Sequence, residues 1–295
     1  MAICDYEGSD YRVRFWQNAN RAYEDAAERI ALRQLLPLHG KRLVEFGAGF
    51  GRLADLYDGF EAVVLLDYSR SMLSEAMQRW GDDPRFTFVV ADLYHLPFAP
   101  AVFDAAVMVR VMHHIADVPA VLAQFHRVLC NGAIFVLEFA NKRHLKAILR
   151  YVLRRQVWSP FDWQPVEFAT LNFDFHPAWM LQQVRKAGFR LQRRVAVSHL
   201  RIELLKRWLP LAWMMRAEAA LQRVASFATL APSVFLQLQT AGDASDWHAL
   251  SGDAIFSSPL SGQPLRRDGD VLICDADGSR WRVDGRLYDF KVPLS

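Results

Sequence analysis

The chain has 295 residues, of which 52% are hydrophobic and 23% charged, and its formal net charge is +3. This balance is typical of a folded globular protein and excludes a disordered chain, and the length favours one large domain with an appendage. The cysteines Cys4, Cys130 and Cys274 lie too far apart for a disulfide framework, which indicates a reducing compartment.

Nothing in the sequence indicates secretion or a membrane span. The N-terminus, "MAICDYEGSD", carries acidic residues where a signal peptide would carry a basic and then an apolar run. The most apolar helical segment, "LLKRWLPLAWMMR", is interrupted by Lys206, Arg207 and Pro210 and is too short to cross a bilayer. We therefore predict a cytoplasmic protein without a transmembrane segment.

Predicted strands and helices alternate through the first half of the chain. A helix is predicted over about residues 11–36, then a strand at "RLVEF" and a helix that opens at "GRLADLY". The strand "AVVLLD" precedes the helix "SRSMLSEAMQRW", for which Ser69 or Ser71 is a natural N-cap. The strands "RFTFVVAD" and "FDAAVMV", the helix "VPAVLAQFHRVL" and the strand "AIFVLEF" follow. Such alternation predicts an α/β protein with a parallel sheet and helices on both faces.

Two later strands, "GFRLQRRVAV" and "SVFLQLQTA", are expected to close this sheet as an antiparallel pair. The prediction is thus a Rossmann-like, mainly parallel, seven-stranded sheet within a domain over residues 1–241. Insertions interrupt the domain at about 141–176 and 199–232. Small and acidic residues at 242–253 indicate a linker, and residues 254–295 form a small β-rich module with "DGD", "DGS" and "DGR" turns.

The stretch "VEFGAGFGRL" contains glycines spaced G-x-G-x-G at the end of a predicted strand. A dinucleotide site would have a third glycine where this chain has Arg52. Glu45 would repel a pyrophosphate but suits a ligand that carries an ammonium group. Asp67 and Asp92 end the next two strands, where they can accept hydrogen bonds from ribose hydroxyls and an adenine amino group. The alternative is that these acids only cap helices or turns.

In this order and spacing the motifs resemble the class I S-adenosylmethionine-dependent methyltransferases, in the branch that acts on small molecules and quinone precursors. The resemblance rests on "VEFGAGFGRLADL", "LLDYSRSML", "FVVADLYHLPFAPAVFDAAVMVRVMHHI" and "HRVLCNGAIFVLEF", and covers residues 40 to 140 closely. It implies transfer of a methyl group from S-adenosylmethionine, by in-line displacement, to a small or lipid-like acceptor.

The resemblance also implies which residues bind S-adenosylmethionine. Glu45 would lie near the methionine amino group, Asp67 would hold the ribose, and Asp92 would read the adenine edge. The complete implied set is Glu45, Gly47, Ala48, Gly49, Asp67, Tyr68, Asp92, Leu93, Val109 and Arg110. His113 and His114 are the candidates for a catalytic base, which is needed only if the acceptor loses a proton. The alternative is that they cap the next helix or pack structurally.

The acceptor side is the least defined by the sequence. Residues 141–158 place Leu145, Ile148, Leu149 and Val152 on one face of a strongly basic helix. Such a helix could contact a membrane surface peripherally, an RNA or a phosphorylated substrate, or be a solvated face over the sheet edge. Eight aromatic residues could roof an apolar pocket or form the core of the insertions, namely Phe161, Trp163, Phe168, Phe173, Phe175, Trp179, Trp208 and Trp213.

Other functions stay open at this point. One is a protein that binds S-adenosylmethionine without transferring its methyl group, and another is an RNA or protein methyltransferase, although nucleic acid is not the favoured partner. Arg52 and Glu45 argue against a nicotinamide oxidoreductase. The oligomeric state is left open.

The C-terminal module resembles the zinc-ribbon-like domain that activates several methyltransferases. The two C-x-x-C pairs of that domain align with Ser258 and Ser261, and with Cys274 and Asp277, so that three of four sulfur ligands are absent. We therefore predict that the module binds no zinc. It should instead depend on docking to the first domain and on β-hairpins that turn at Asp268–Gly269 and at Asp277–Gly278 or Asp284–Gly285. The apolar residues expected to hold it are Ile255, Leu260, Leu265, Leu272, Trp281, Leu287 and Phe290.

Overall fold

An eleven-stranded mixed β-sheet runs through the protein. The computed structural model describes residues 7–8, 21–224, 228–242 and 250–294. The helices are α1 (Ala22–Leu35), α2 (Arg70–Trp80), α3 (Val118–Val128), α4 (Leu145–Val152), α5 (Pro177–Lys186), α6 (Glu203–Trp208) and α7 (Leu211–Val224). The first strands are β1 (Gly40–Phe46), β2 (Phe60–Asp67), β3 (Phe86–Val90), β4 (Phe103–Met108) and β5 (Leu129–Ala140). The remaining strands are β6 (Val166–Ala169), β7 (Asn172–Asp174), β8 (Phe189–Val197), β9 (Ser233–Thr240), β10 (Arg266–Asp268), β11 (Val271–Ile273), β12 (Arg280–Asp284) and β13 (Leu287–Asp289).

The central part of the sheet has the strand order β3-β2-β1-β4-β5-β9-β8. The first five of these strands are parallel, and β9 runs antiparallel to both β5 and β8. Helices pack on both faces: α3 and α5 contribute to one hydrophobic core, whereas α1, α2 and α7 contribute to the other. The predicted α/β class and the antiparallel closing pair are confirmed.

The predicted number of strands is wrong, because the C-terminal module continues the same sheet. Its last strand, β13, pairs in parallel with β3, and Phe290 N–H donates to the Val90 carbonyl at 2.8 Å. An exposed edge strand carries unpaired backbone groups, and β13 satisfies those of β3. Strands β10 to β13 therefore extend the seven central strands to eleven.

The helix predicted to open at "GRLADLY" is replaced by a short 3₁₀ turn at Ala54–Leu56. Two carbonyls that would accept helical hydrogen bonds are taken by side chains. Trp80 Nε1 donates to Gly51 O at 3.1 Å, and Arg29 Nη2 donates to Arg52 O at 2.6 Å. The predicted cap of α2 is confirmed, since the Ser69 hydroxyl accepts from Met72 N–H. The first half of the predicted N-terminal helix lies outside the described residues.

The insertions differ from their prediction. The first contains α4 and a two-stranded hairpin, β6–β7, and the second contains α6 and α7. A buried role for the aromatic residues holds for Phe175 but is wrong for five others, whose exposed fractions are 42% to 77%: Phe161, Trp163, Phe168, Trp208 and Trp213. Within the described part of the chain, no second layer covers the short elements that carry them. None of the described helices is both long and apolar enough to cross a membrane.

The module folds as three successive hairpins, which turn at Asp268–Gly269, Asp277–Gly278 and Asp284–Gly285. Six of its seven predicted apolar residues are buried, whereas Leu260 is 66% exposed. The ring of Phe256 stacks on Phe98 of the first domain with 5.7 Å between centroids. The module therefore docks as expected, through both backbone pairing and apolar contact. Most of the predicted linker, residues 243–249, lies outside the described part of the chain.

Candidate functional site

A pocket opens at the carboxyl ends of β1 to β4, where parallel sheets bind their ligands. Its empty space, including the open mouth, is about 1010 Å³. Its walls contain every residue predicted to bind the cofactor, together with Phe50, Arg52, Leu53, Leu66, Met72, Tyr94, Val111, His114 and Ile115. His113 is not among the lining residues.

The glycine loop after β1 is shaped by a close approach to the loop after β4. Gly47 has φ +75°, and a Cβ atom added there would lie 2.1 Å from Val111 Cγ2. The N–H groups of Gly47 and Ala48 both donate to the Leu66 carbonyl, which holds the loop against the end of β2. Gly49 also has a positive φ, +54°. The loop requires glycine on backbone grounds before any ligand is considered.

Asp67 connects this loop to the start of α2. Its Oδ2 accepts from Gly49 N–H at 2.8 Å and its Oδ1 accepts from Ser69 N–H at 2.9 Å. Asp92 likewise accepts from Tyr94 N–H at 2.9 Å and lies 2.9 Å from His95 Nδ1. Both acids therefore cap turns, as the alternative interpretation expected. They also line the pocket, and a carboxylate oxygen has a second lone pair with which to accept from a ligand.

Glu45 is the most unusual group of the pocket. Its side chain is 3% exposed and lies beside the buried Tyr57 hydroxyl, but no donor among the described residues is within hydrogen-bond geometry of Oε2. Burial raises the pKa of this carboxyl to about 8. A buried carboxylate oxygen without a partner is costly unless a bound cation or donor satisfies it, so the arrangement fits a ligand ammonium group.

A buried ionic network forms one wall of the pocket and was not anticipated from the sequence. Glu28, on α1, accepts from Arg52 Nη2 at 2.7 Å and from Arg110 Nε at 2.6 Å. Arg110 has φ +61°, and its N–H donates to Glu138 Oε2 at 2.8 Å. The amide of Arg110 is therefore not a donor for a ligand. The acidic residues at positions 24, 25 and 28 of α1 are visible in the sequence, but their basic partners are too far away in the sequence to be identified from it.

Only one of the two predicted histidines faces the pocket. His114 Nδ1 lies 2.8 Å from the Leu171 carbonyl in the β6–β7 turn. A carbonyl only accepts, so Nδ1 carries the proton in the neutral ring and Nε2 carries the lone pair. Burial lowers the pKa of His114. Burial, together with the neighbouring His114 ring and the Arg110 guanidinium, lowers the pKa of His113 to about 3. Both rings are therefore neutral at pH 7.

Known proteins are similar to this chain in the region that forms the pocket. Residues 44–137 match the family model of the methyltransferase domain. The demethylmenaquinone methyltransferase of Thermobifida fusca (strain YX) is 30% identical over 134 residues, which are 44% of this chain and 52% of the relative. The chain thus spans about half the length of the relatives it matches.

Two solved structures share the fold. One is a complex that contains the Haloferax volcanii Trm112 methyltransferase activator (TM-score 0.54, 17% identity, covering 79% of this chain and 97% of that chain). The other is an S-adenosylmethionine-dependent methyltransferase from Mesorhizobium loti (TM-score 0.51, 20% identity, covering 74% and 100%). The matched domain and the fold imply S-adenosylmethionine as the cofactor, and the ammonium-compatible position at Glu45 fits it.

Proposed function

We propose that this chain transfers a methyl group from S-adenosylmethionine to a small or lipid-like acceptor. The observation that carries the proposal is the buried Glu45 carboxyl, whose Oε2 has no hydrogen-bond partner among the described residues, in a pocket that also presents Asp67 and Asp92. An amino acid joined to a nucleoside has groups that match this series: an ammonium, a pair of ribose hydroxyls and an adenine amino group. A pyrophosphate would meet a buried acid instead.

Each pocket element has a role in this proposal. Glu45 binds the ammonium, and the loop at Gly47–Gly49 allows the methionine part to approach the backbone. Asp67, fixed by two N–H donors, binds the ribose, while Asp92 and the Leu93 amide bind the adenine beside Tyr68. Bound S-adenosylmethionine supplies an electrophilic methyl group, so the protein mainly aligns the acceptor and excludes water.

The acceptor would enter past His114 and the β6–β7 turn. The apolar residues Val111 and Ile115 line the same part of the pocket, which favours an acceptor with an apolar ring or tail. Relatives that are demethylmenaquinone and ubiquinone/menaquinone biosynthesis methyltransferases also point to quinone precursors. His114 Nε2 carries the lone pair that would take a proton from an acceptor hydroxyl.

The C-terminal module is, in this proposal, a built-in counterpart of a separate methyltransferase activator. Support comes from the β13–β3 pairing and from the similarity to a methyltransferase complex that contains the Trm112 activator. The module covers the β3 edge and buries Phe98 and Phe256 between the two parts. It would thereby keep the adenine end of the pocket in place.

Calorimetric titration with S-adenosylhomocysteine tests the cofactor assignment. Asp67→Ala should weaken binding by about 1.5–3 kcal/mol, because hydrogen bonds to a charged group are lost. Asp82→Ala, which changes an exposed acid between α2 and β3, at the end of the strands opposite the pocket, is the matched control and should bind like the parent. Tight binding by Asp67→Ala, or a preference for NADH, would remove the assignment.

Turnover tests the transfer itself. Reduced demethylmenaquinone is the first acceptor to supply with S-adenosylmethionine, and formation of S-adenosylhomocysteine is the readout. A tightly bound cofactor with no turnover on this acceptor or on simpler phenols and hydroquinones would favour a non-catalytic binding protein. Methylation of purified RNA or protein fractions under the same conditions would redirect the acceptor class.

A further inference from the structure

The two insertions expose an unusual amount of apolar surface. The residues Leu145, Leu149, Val152, Leu153, Phe161 and Trp208 are each between 52% and 77% exposed. We call the surface defined by these six residues the insertion face. Single exposed apolar side chains are ordinary in soluble proteins, but a cluster of this kind marks an interaction surface.

Five of the six members of the insertion face lie on α4 or next to it, and the sixth, Trp208, ends α6. Leu145 N–H donates to the Leu230 carbonyl at 2.8 Å, which fixes the start of α4 against the end of the second insertion. Tyr151 and Phe161 contact each other with ring centroids 6.3 Å apart. The charge of Arg201, just before α6, contributes to the lowered pKa of His144 at the start of α4. The segment that precedes α6 is therefore within electrostatic range of the start of α4.

Helix α4 points its apolar side outward. Ala147 is the only fully buried residue on it, and the spacing of Leu145, Leu149 and Val152 is that of one helical face. In a globular protein that face would normally pack on the core. Here the described part of the chain supplies no layer to cover that face.

Exposed basic residues surround the apolar residues of the insertion face. Between Asn141 and Phe161 the sequence has no Asp or Glu. The side chains of Lys146, Arg154 and Arg155 are exposed and form no ion pair with an acid in the described part of the chain. Arg150, also exposed, acts on the half-buried Asp174 electrostatically. Apolar and cationic residues alternate directly, as in Leu149–Arg150 and Leu153–Arg154.

We propose that the insertion face docks on an anionic lipid bilayer surface. Leucine and valine side chains enter the acyl boundary, tryptophan lies at the interface, and long arginine and lysine side chains extend to lipid phosphates. The centre of a protein–protein interface is depleted of lysine and other charges. A nucleic acid would pair with the arginines and stack on aromatic rings, but it gains nothing from exposed leucine and valine.

Docking on a bilayer would bring the pocket close to the membrane. The first insertion also contains the β6–β7 turn, whose Leu171 carbonyl contacts His114 in the pocket wall. The same insertion thus reaches from the proposed lipid contact to the pocket. The docking proposal itself does not depend on methyl transfer, since it concerns binding of the protein to lipid.

Vesicle flotation of the full chain tests the proposal. The protein should float with vesicles of phosphatidylcholine mixed with phosphatidylglycerol, and much less with phosphatidylcholine alone. A basic-to-acidic variant (Arg150→Glu, Arg154→Glu and Arg155→Glu) and an apolar variant (Leu149→Ser, Leu153→Ser and Trp208→Ser) should each reduce the bound fraction about tenfold or more. Thermal unfolding of both variants should stay close to that of the parent, because the changed side chains are exposed.

Matched variants outside the insertion face serve as controls. Arg280→Glu with Arg282→Glu changes exposed basic residues of the module, and Leu38→Ser with Leu260→Ser changes exposed apolar residues. Both should float like the parent. Absence of flotation on anionic vesicles overturns the proposal. Loss of flotation in the basic-to-acidic variant alone also overturns it, because that result would indicate a general polyanion site such as one for RNA. A parent protein that is a dimer, and that both variants convert to a monomer, overturns it as well.

Discussion

The ammonium nitrogen of Lys291 lies 4.0 Å from the ring centroid of Tyr68. Lys291 belongs to the C-terminal module, whereas Tyr68 lines the pocket directly after β2. Two residues further on, Arg70 pairs with Asp289 of the module at 2.7 Å. The module therefore contacts the wall of the pocket as well as the edge of the sheet, and it should influence the affinity for the cofactor.

Removal of the Lys291 ammonium should weaken cofactor binding slightly. A cation over an aromatic ring is worth about 0.5–1 kcal/mol at a partly exposed site, so Lys291→Ala should raise the dissociation constant of S-adenosylhomocysteine about two- to fivefold. Lys291→Arg keeps the cation and should bind like the parent, as should Lys186→Ala on α5. In a Tyr68→Ala background, Lys291→Ala should have no further effect; an equal effect in both backgrounds would show that the contact does not act through the ring.

The raised pKa of Glu45 predicts a proton released on cofactor binding. Burial holds this carboxyl protonated in the free protein up to about pH 8, whereas a bound ammonium favours the carboxylate. At pH 7 binding should therefore release a proton. Calorimetry of S-adenosylmethionine binding in buffers of different ionisation enthalpy measures this directly. Glu45→Gln should abolish the buffer dependence, and Glu61→Gln at an exposed position should keep it.

The same carboxyl makes the stability of the free protein depend on pH. Its folded-state pKa lies above the ordinary value of 4.5, so between about pH 4.5 and pH 8 the native state binds more protons than the unfolded state. Its contribution is complete below that range and is lost as the pH rises through about 8. Glu45→Gln should remove this part of the pH profile of thermal unfolding, and an unchanged profile would contradict the assignment.

The two histidines should separate in their effects on turnover. His114 lines the pocket and His113 does not, so His114→Ala should lower the rate with reduced demethylmenaquinone while His113→Ala has the smaller effect. Both variants should bind S-adenosylhomocysteine within about twofold of the parent. Because burial lowers the pKa of His114 below 6.5, the acidic limb that it controls in the pH–rate profile should also lie below 6.5. An unchanged rate for His114→Ala would exclude it as the base.

Local patterns were sufficient for the central fold. The unbroken apolar runs of β2 and β4, and the amphipathic spacing of α3, identified their elements without any knowledge of distant contacts. The failures involve partners that are remote in sequence. Trp80 and Arg29 occupy the carbonyls that a helix after Arg52 would have used, and the pairing of β13 with β3 joins residues about two hundred positions apart.

The residues of the candidate site also fall into those predictable from local sequence and those that depend on remote partners. Glu45, Asp67 and Asp92 could be predicted because each ends a strand at the ligand edge of a parallel sheet. Glu28 and Glu138 could not, since their importance comes from contacts with Arg52 and Arg110 that only the folded chain brings about. For the same reason the sequence could not distinguish His114 from its neighbour His113.

The four positions that align with zinc ligands come together in the structure as a hydrogen-bonded cluster. The hydroxyls of Ser258 and Ser261 both donate to Asp277, the former at 2.6 Å, and Ser261 Oγ lies 3.7 Å from Cys274 Sγ. Partial desolvation raises the pKa of Asp277, but hydrogen bonds from Ser258, Ser261 and Ser279 outweigh it, so that the pKa is lowered. Hydrogen bonds therefore connect these positions of the module, although the thiolates that would bind a metal there are largely absent.

We predict that the protein, purified without a metal-affinity tag, contains no stoichiometric zinc by elemental analysis. Serine hydroxyls are poor zinc ligands at neutral pH, and one thiolate with one carboxylate cannot close a tetrahedral site. Restoring the sulfur ligands with Ser258→Cys, Ser261→Cys and Asp277→Cys should give about one equivalent of zinc, because Cys274 already occupies the fourth position. The same variant with Cys274→Ser should bind zinc far more weakly. One equivalent of zinc in the unmodified protein would show that the hydrogen-bonded cluster does not replace the metal.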